Sequence, residues 1–567
     1  MAEVVRDFRT SDKSMPGTNF AAVTVLCVTA AIASVLLTLV RELPIGTYYW
    51  DIYFFADAAH RIRGGEVPHQ DFFLSVGALP YYLYELLWRV WPDGQPLLLG
   101  QYSLLIVTLP LMLAVVLSAG VSAGRVVAVV LPFAFFSLAP INSNEFVSVP
   151  SVDGYGLYNR QAGLLLYVLA SALALVRRHL VLGTIVGLSA AALFFLKITG
   201  FVAGAGFVGV AVLAGRLGPK AIAAGLVAFL VPLALVELGL GIVSLYIADV
   251  LAMLSHNSGG FIGRFLRLVS HELDVLAPAA VLCGALAYLE RGRLVAALTT
   301  PFPENVTGLF SLTSVQLALM TGFAILFEMQ NTGSQEFIYL WPLLSGLLIP
   351  GHQLEGRWRV VIITLVAVTA LSLITKTVHR LGRALAIMPT QISLDLPELG
   401  ILNSVSARDD YIRRAEKLRA HFADNVNGYR TLISEGEDPS FLYYTTPDTQ
   451  ILYLIDVAEG IKAIRHHEEA TGNHYASLAG LDYVDPLPML MGRQGAKAMP
   501  MGLDPTRGYP AARHDDYRAG LAQVDAILEP ICPLVDQRAA IRAIAEPVLE
   551  GRRKVQIDPC WVLYEKP

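Results

Sequence analysis

The chain has 567 residues, of which 54% are hydrophobic and only 16% charged, with a formal net charge of −5. An average soluble domain carries about a quarter charged residues, so this composition excludes an ordinary water-soluble enzyme. With no basic tract or aromatic–basic stripe, it also gives no reason to expect a nucleic-acid partner.

The apolar residues come in charge-free runs, among them Ala21–Val40, Ser103–Leu117, Val126–Ala139 and Val306–Phe327. These reach or approach the roughly 20 residues that a helix needs to cross the hydrocarbon core. They do not alternate in polarity as barrel strands do, so they read as transmembrane helices. The first run exceeds the roughly 7–15 residues of a signal-peptide core and reads as a retained helix. In chain order, about eleven spans are expected, at approximately 19–41, 97–118, 123–140, 160–176, 180–196, 199–215, 221–243, 274–289, 306–327, 337–350 and 358–376. Arg6, Arg9 and Lys13 precede the first. Every second short connector then carries positive charge: Arg125; Arg177 and Arg178; Arg216 and Lys220; Arg291 and Arg293; Arg357 and Arg359. Positive residues mark cytoplasmic loops. The chain is therefore expected in the cytoplasmic (inner) membrane, with its N-terminus on the cytoplasmic side and residues 377–567 on the periplasmic or extracellular side.

The expected fold is an all-α polytopic membrane domain over residues 1–376, followed by a soluble periplasmic or extracellular domain over 377–567. The tail shows helical stretches at Ala407–Ala423 and Asp536–Leu549 and strand-like runs at Phe441–Thr445 and Trp561–Glu565, which reads as α/β or α+β. Cys532 and Cys560 lie in this tail. In an oxidising compartment they could pair, although spacing alone leaves two free thiols open.

The first outer loop, residues 42–96, is too long for a simple connector and is crowded with Tyr, Trp and Phe. Asp51–Arg63 and Leu79–Val90 both have helical periodicity with one apolar face, and two helices lying along the outer surface are expected. Asp51 follows the first span. Asp71 ends the stretch Gly64-Gly65-Glu66-Val67-Pro68-His69-Gln70-Asp71. A helix N-cap is the plain reading of Asp51, and a turn that of Asp71.

Three features of this loop go together: Trp50-Asp51 with Tyr53 two residues on; then Ala59, Ile62, Gly65, Pro68, Asp71 and Phe72 at regular intervals; then Gly77, Pro80 and Tyr81 opening a second helix. This pattern resembles the GT-C integral membrane glycosyltransferases. More narrowly, it is similar to the bacterial group of protein mannosyltransferase-like enzymes and lipopolysaccharide sugar transferases. The resemblance implies a donor sugar on a polyprenyl phosphate, a glycan, lipid or protein acceptor, and an acidic catalytic base just after the first span, which is Asp51 here. That family often has Asp-Glu at this point, whereas this chain has Asp51-Ile52. Asp71 is the second catalytic candidate, as acceptor or metal ligand or as the base in place of Asp51.

The chemistry fits those residues. Transfer to a hydroxyl needs a base within hydrogen-bond reach and a cation for the leaving phosphate. Lys197, between two apolar runs, needs a partner or a task at the bilayer rim, either gripping phosphate or snorkelling to the interface. Tyr158-Asn159-Arg160 also resembles the family pattern. Arg160 offers a bidentate fork for phosphate or an interface anchor. Tyr158, Asn159 and His69 are further candidates for binding substrate, and the resemblance implies a donor-pocket role for Gln335 and Glu336. Several carboxylates could recruit a hard divalent cation, but no metal motif demands one. Two other readings remain: a flippase or transporter for a lipid-linked sugar, disfavoured by the lack of internal repeats, and an O-antigen polymerase- or ligase-like enzyme.

Overall fold

The eleven apolar windows are helical over most of their length. The computed structural model describes residues 19–144, 149–256, 260–301, 305–331, 333–348, 356–437, 447–505 and 508–567. Arg6, Arg9, Lys13 and the strand-like run Phe441–Thr445 lie outside them. In chain order the membrane half consists of α1 (Phe20–Leu39), β1 (Leu43–Pro44), α2 (Trp50–Arg63), α3 (Leu79–Val90), α4 (Pro96–Ser103), α5 (Leu105–Leu117), α6 (Ala123–Leu138), α7 (Leu157–Leu175), α8 (His179–Leu196), α9 (Ile198–Leu213), α10 (Pro219–Leu240), α11 (Ile242–His256), α12 (Phe261–His271), α13 (Leu273–Leu289), α14 (Arg291–Thr299), α15 (Asn305–Phe310), α16 (Thr313–Glu328), α17 (Trp341–Leu348) and α18 (Gly356–Ile387).

Among the described residues, five segments are long and apolar enough to cross a membrane: α1, Pro96–Leu117, α8, α10 and the helix beginning at Gly356. The pair α12–α13, bent by 88°, makes a sixth if taken as one span. The other windows hold shorter or broken helices, so the number eleven rests on the charge pattern rather than on helix length.

The helices sort by burial. The middle of α7 is wholly enclosed, with Leu165, Leu166, Tyr167 and Val168 at 0% exposure, whereas α10 leaves Leu226, Val227, Leu235 and Leu238 uncovered. Lipid gives apolar helices no hydrophobic reason to associate, so close backbone approach must supply the attraction. On α8, Gly183 and Gly187 permit it: a Cβ on either would lie 2.1 Å from Ala221 O or 2.2 Å from Gly225 O of α10.

The tail continues with β2 (Ile392–Ser393), β3 (Val405–Ala407), α19 (Asp409–Asp424), α20 (Val426–Glu435), α21 (Asp448–Thr471), β4 (Leu478–Gly480), α22 (Leu487–Met491), α23 (His514–Gln523), β5 (Ala526–Pro530), α24 (Asp536–Leu549), β6 (Arg553–Asp558) and β7 (Trp561–Glu565). One sheet runs β4-β5-β7-β6, parallel between β4 and β5 and antiparallel beyond. The tail thus combines helices with a mixed sheet. Cys532 and Cys560 form a disulfide beside this sheet.

Two results depart from the sequence reading. The boundary expected at 376/377 falls inside α18, which runs on to Ile387. The loop over residues 42–96 and the tail are also not separate bodies. β1 of the loop pairs in parallel with β3 of the tail, Leu43 opposite Val405, and β2 completes that sheet. Tyr49, Ile52, Phe55 and Tyr84 of the loop share one core with Ile451, Leu454, Leu528 and Trp561 of the tail. For this reason α2 is not a surface helix with one apolar face. Every residue from Asp51 to Ala59 is buried, because the tail covers the side expected to face water.

Candidate active site

Asp51 is the second residue of α2, and it does not cap its own helix. Its N–H donates to Gly154 O at 3.2 Å, and its Oδ2 accepts the Leu157 N–H at 3.0 Å. The carboxylate thus sits at the N-terminus of α7, where unpaired backbone donors favour an anion. Gly156, just before that terminus, lets the Gly333 backbone pack against it: it has φ +71, and a Cβ there would lie 2.0 Å from Gly333 O. Asp51 is 5% exposed. Burial pushes its carboxyl up to about 6, against the lowering effects of the Leu157 N–H, Arg160 and Lys197.

Lys197 occupies the break between α8 and α9. Its Nζ donates to Asn159 Oδ1 at 2.6 Å and lies 4.5 Å from the centre of the Tyr158 ring. It is half-buried, as are Tyr158 and Trp50, while Asp51 is enclosed beside them. Asp51 and Lys197 are within electrostatic reach of one another. Tyr81 of α3 and Tyr158 of α7 are within electrostatic reach of the same carboxylate, and Tyr483 of the tail interacts with both tyrosines. Burial first, then the Asp51 charge, keeps the Tyr81 phenol protonated. Tyr483 also packs edge-on against Trp50, with ring centres 5.7 Å apart. The tail therefore contributes to the walls of this site.

Arg160, expected at the phosphate, is committed to the scaffold. It is fully buried. Its Nε donates to Gln101 Oε1 at 2.9 Å, Nη1 to Asn142 Oδ1 and to Tyr155 O at 3.1 Å, and Nη2 to Asp153 O at 3.0 Å. The same loop is gripped from α18 by Arg380, which donates to Asn142 O at 2.6 Å and to Asp153 Oδ1 at 2.9 Å. Together the two arginines fix the segment that presents Gly154 and Leu157 to Asp51.

The remaining candidates divide in the same way. Gln335 donates to the carbonyls of Phe136, Ala139 and Ile141 and is fully buried, so it braces α6 rather than lining a pocket. Glu336 receives no side-chain partner on its buried Oε2, and its N–H donates to Ser143 Oγ at 3.0 Å. Asn159 holds Lys197 and donates to Gly333 O at 3.3 Å. Asp71 closes a turn by accepting the Val67 N–H at 2.7 Å, as the plain reading has it. His69, at φ +67, is buried and pairs through Nδ1 with Asp249 of α11 at 2.9 Å, while Arg513 of the tail holds the other Asp249 oxygen at 2.5 Å. Loop, α11 and tail are clamped together at that point. Among the described residues, no group of three or more His, Cys, Asp or Glu side chains is arranged to hold a metal ion.

The sequence reading missed Arg380, Asp249, Gly156 and Tyr483. Gly156 had a local signal, a glycine directly before a helical run in a polar loop. The others act across hundreds of residues, and their own neighbourhoods carry no mark of it.

No family model and no curated protein matches the chain. Solved structures similar to it include ArnT from Cupriavidus metallidurans bound to undecaprenyl phosphate, with 12% identity over 95% of this chain and 97% of that one at a TM-score of 0.39. The same protein in the apo state gives 10% identity over 96% and 98% at 0.37. The archaeal oligosaccharyltransferase AglB from Archaeoglobus fulgidus, in complex with an inhibitory peptide and a dolichol-phosphate, gives 13% identity over 94% of this chain and 72% of that one at 0.30. At such scores the backbones follow one another only loosely.

Proposed function

We propose that the chain is an inverting membrane glycosyltransferase of the GT-C type. In this reading it moves a monosaccharide from a polyprenyl-phosphate carrier to a hydroxyl of a glycan, lipid or protein acceptor outside the cytoplasmic membrane. The chain up to the end of α18 at Ile387 forms the catalytic membrane part, with its key loop at 42–96, and the residues beyond it cover the site from outside. The disulfide in the tail supports that sidedness, since such bonds persist in oxidising compartments.

One observation carries the reading: an enclosed carboxylate, Asp51, stands within electrostatic reach of a half-buried ammonium, Lys197, beside the Tyr158 ring. Asp51 takes the proton of the acceptor hydroxyl. The acceptor oxygen then bonds to the anomeric carbon as the bond from that carbon to the phosphate oxygen breaks, and Lys197 holds the departing phosphate. A carboxyl near 6 is a stronger base than an exposed one and remains ionised at neutral pH, as general-base catalysis favours. Tyr81 and Tyr158 supply hydroxyl donors to orient the acceptor.

The test is Asp51→Asn in purified protein in lipid nanodiscs, with a labelled polyprenyl-phosphate sugar. Transfer is expected to fall about 10²–10⁴-fold while binding of the carrier persists. Undiminished transfer removes Asp51 from the role of base. Movement of label between leaflets with no new glycoside formed points to a flippase instead.

A further inference from the structure

At the other end of α7, charges of one sign converge without a counter-charge. Three connectors meet there. The Ala119–Val176 bridge and a 2.9 Å hydrogen bond from Gly120 N to Leu175 O join the turn before α6 to the end of α7. The stem of Arg177 lies over Gly120, where a Cβ would come within 2.2 Å of Arg177 Cγ. Arg216, just past α9, folds back to donate to Leu173 O at 3.0 Å and to Val176 O. Arg125, in the first turn of α6, lies against Gly346 of α17, where a Cβ would be 2.6 Å from its Nη2, and its Nε is buried without a partner. The three guanidiniums are mutually within electrostatic reach. Among the described residues, no carboxylate forms an ion pair with any of them.

We infer that Arg125, Arg177 and Arg216 form an anion site for the phosphate of an acidic phospholipid headgroup at the end of the bundle opposite Asp51. Positive-inside bias alone spreads arginines around the rim; it does not bring three from separate connectors onto one spot, two of them half-buried. Like charges held together in a poorly hydrated place repel, and a bound anion removes that repulsion. Guanidinium forks match phosphate oxygens bidentately. Basic pockets between membrane helices on the cytoplasmic side are suited to acidic headgroups. This is not the catalytic phosphate position. α7 has 19 residues, which at 1.5 Å each puts the two ends about 27 Å apart, close to the hydrocarbon thickness. Only the leaflet assignment rests on the orientation proposed above; the site itself does not.

The experiment uses the full chain and does not read sugar transfer, so its failure is distinct from failure of the proposed activity. Wild-type protein in mild detergent is titrated with phosphatidylglycerol or phosphatidylcholine, and retained lipid is counted by native mass spectrometry, with thermal unfolding in parallel. One phosphatidylglycerol is expected to remain bound where phosphatidylcholine washes off. Each single Arg→Gln change at 125, 177 or 216 should weaken retention about fivefold, and the triple change about a hundredfold, from roughly 1 kcal/mol per charge. Equal retention of the two lipids by wild-type protein overturns the inference, and that comparison needs no variant to fold. Undiminished phosphatidylglycerol retention by a folded triple variant also overturns it. So does a rise in unfolding temperature with millimolar inorganic phosphate but none with phosphatidylglycerol, which indicates a site for free phosphate.

Discussion

The two ends of α7 meet the same electrostatic problem in opposite ways. At the Asp51 end, Arg160 and Arg380 are enclosed, and Gln101, Asn142, Asp153 and backbone carbonyls accept from them. At the far end, Arg125, Arg177 and Arg216 stand together, and among the described residues no carboxylate forms an ion pair with them. The difference is the counter-charge: Arg380 pairs with Asp153, whereas among the described residues no carboxylate pairs with Arg125, Arg177 or Arg216, and three like charges held together are where an anionic ligand fits. Two neighbours at the Asp51 end differ in how much of each is engaged: Arg160 donates four hydrogen bonds, and Lys197 donates to Asn159 beside an aromatic face.

The largest expected effect tests the scaffold assignment. Arg160→Leu strands the Asp153, Tyr155 and Asn142 acceptors and should cost about 3–5 kcal/mol, as breaking a buried polar network does. Thermal unfolding or loss of protein from the membrane is the readout. A variant of normal stability that fails only to bind carrier would return Arg160 to the phosphate. Next, opening the Cys532–Cys560 bond is expected to destabilise the tail by roughly 2–4 kcal/mol. In right-side-out vesicles a membrane-impermeant reductant should reach that bond. Protection from it would invert the assignment of outer and inner ends. Lys197→Gln should leave unfolding unchanged and weaken binding of polyprenyl phosphate about tenfold or more, equivalent to roughly 1.4 kcal/mol, as measured by calorimetry. The mildest test is pH. The Asp51 carboxyl is raised by burial to about 6, and the base works only when ionised. kcat/KM should fall about tenfold per unit below that value. A profile flat down to pH 5 would mean that another group takes the proton.

Much of this arrangement was legible in the sequence. The helices of the membrane half, the exact span of α3, and the strand Trp561–Glu565 follow from apolar periodicity and length. Lys197 stands out because it breaks an apolar pattern at a bilayer rim, and Asp51 because its loop resembles the GT-C enzymes, which carry an acid just after the first span. Arg160 shows where such reading stops. Its motif places it at the right depth, but side-chain direction depends on Gln101, Asn142 and Asp153, none of which is a helical neighbour. The enclosure of α2 was hidden for the same reason: the residues that cover it come some four hundred positions later. Arg125, Arg177 and Arg216 are visible in the sequence as a topology signal, yet their convergence depends on the Gly120 and Val176 contacts.

The parallel pairing of β1 with β3 orders events in time. Leu43 and Pro44 leave the ribosome early, but their partners at 405–407 emerge only after the last membrane helix. Until then the loop that carries Asp51 lacks both its sheet and its cover. A nascent or prematurely terminated chain therefore sits in the bilayer with an unassembled centre, and competence arrives only when synthesis is nearly complete.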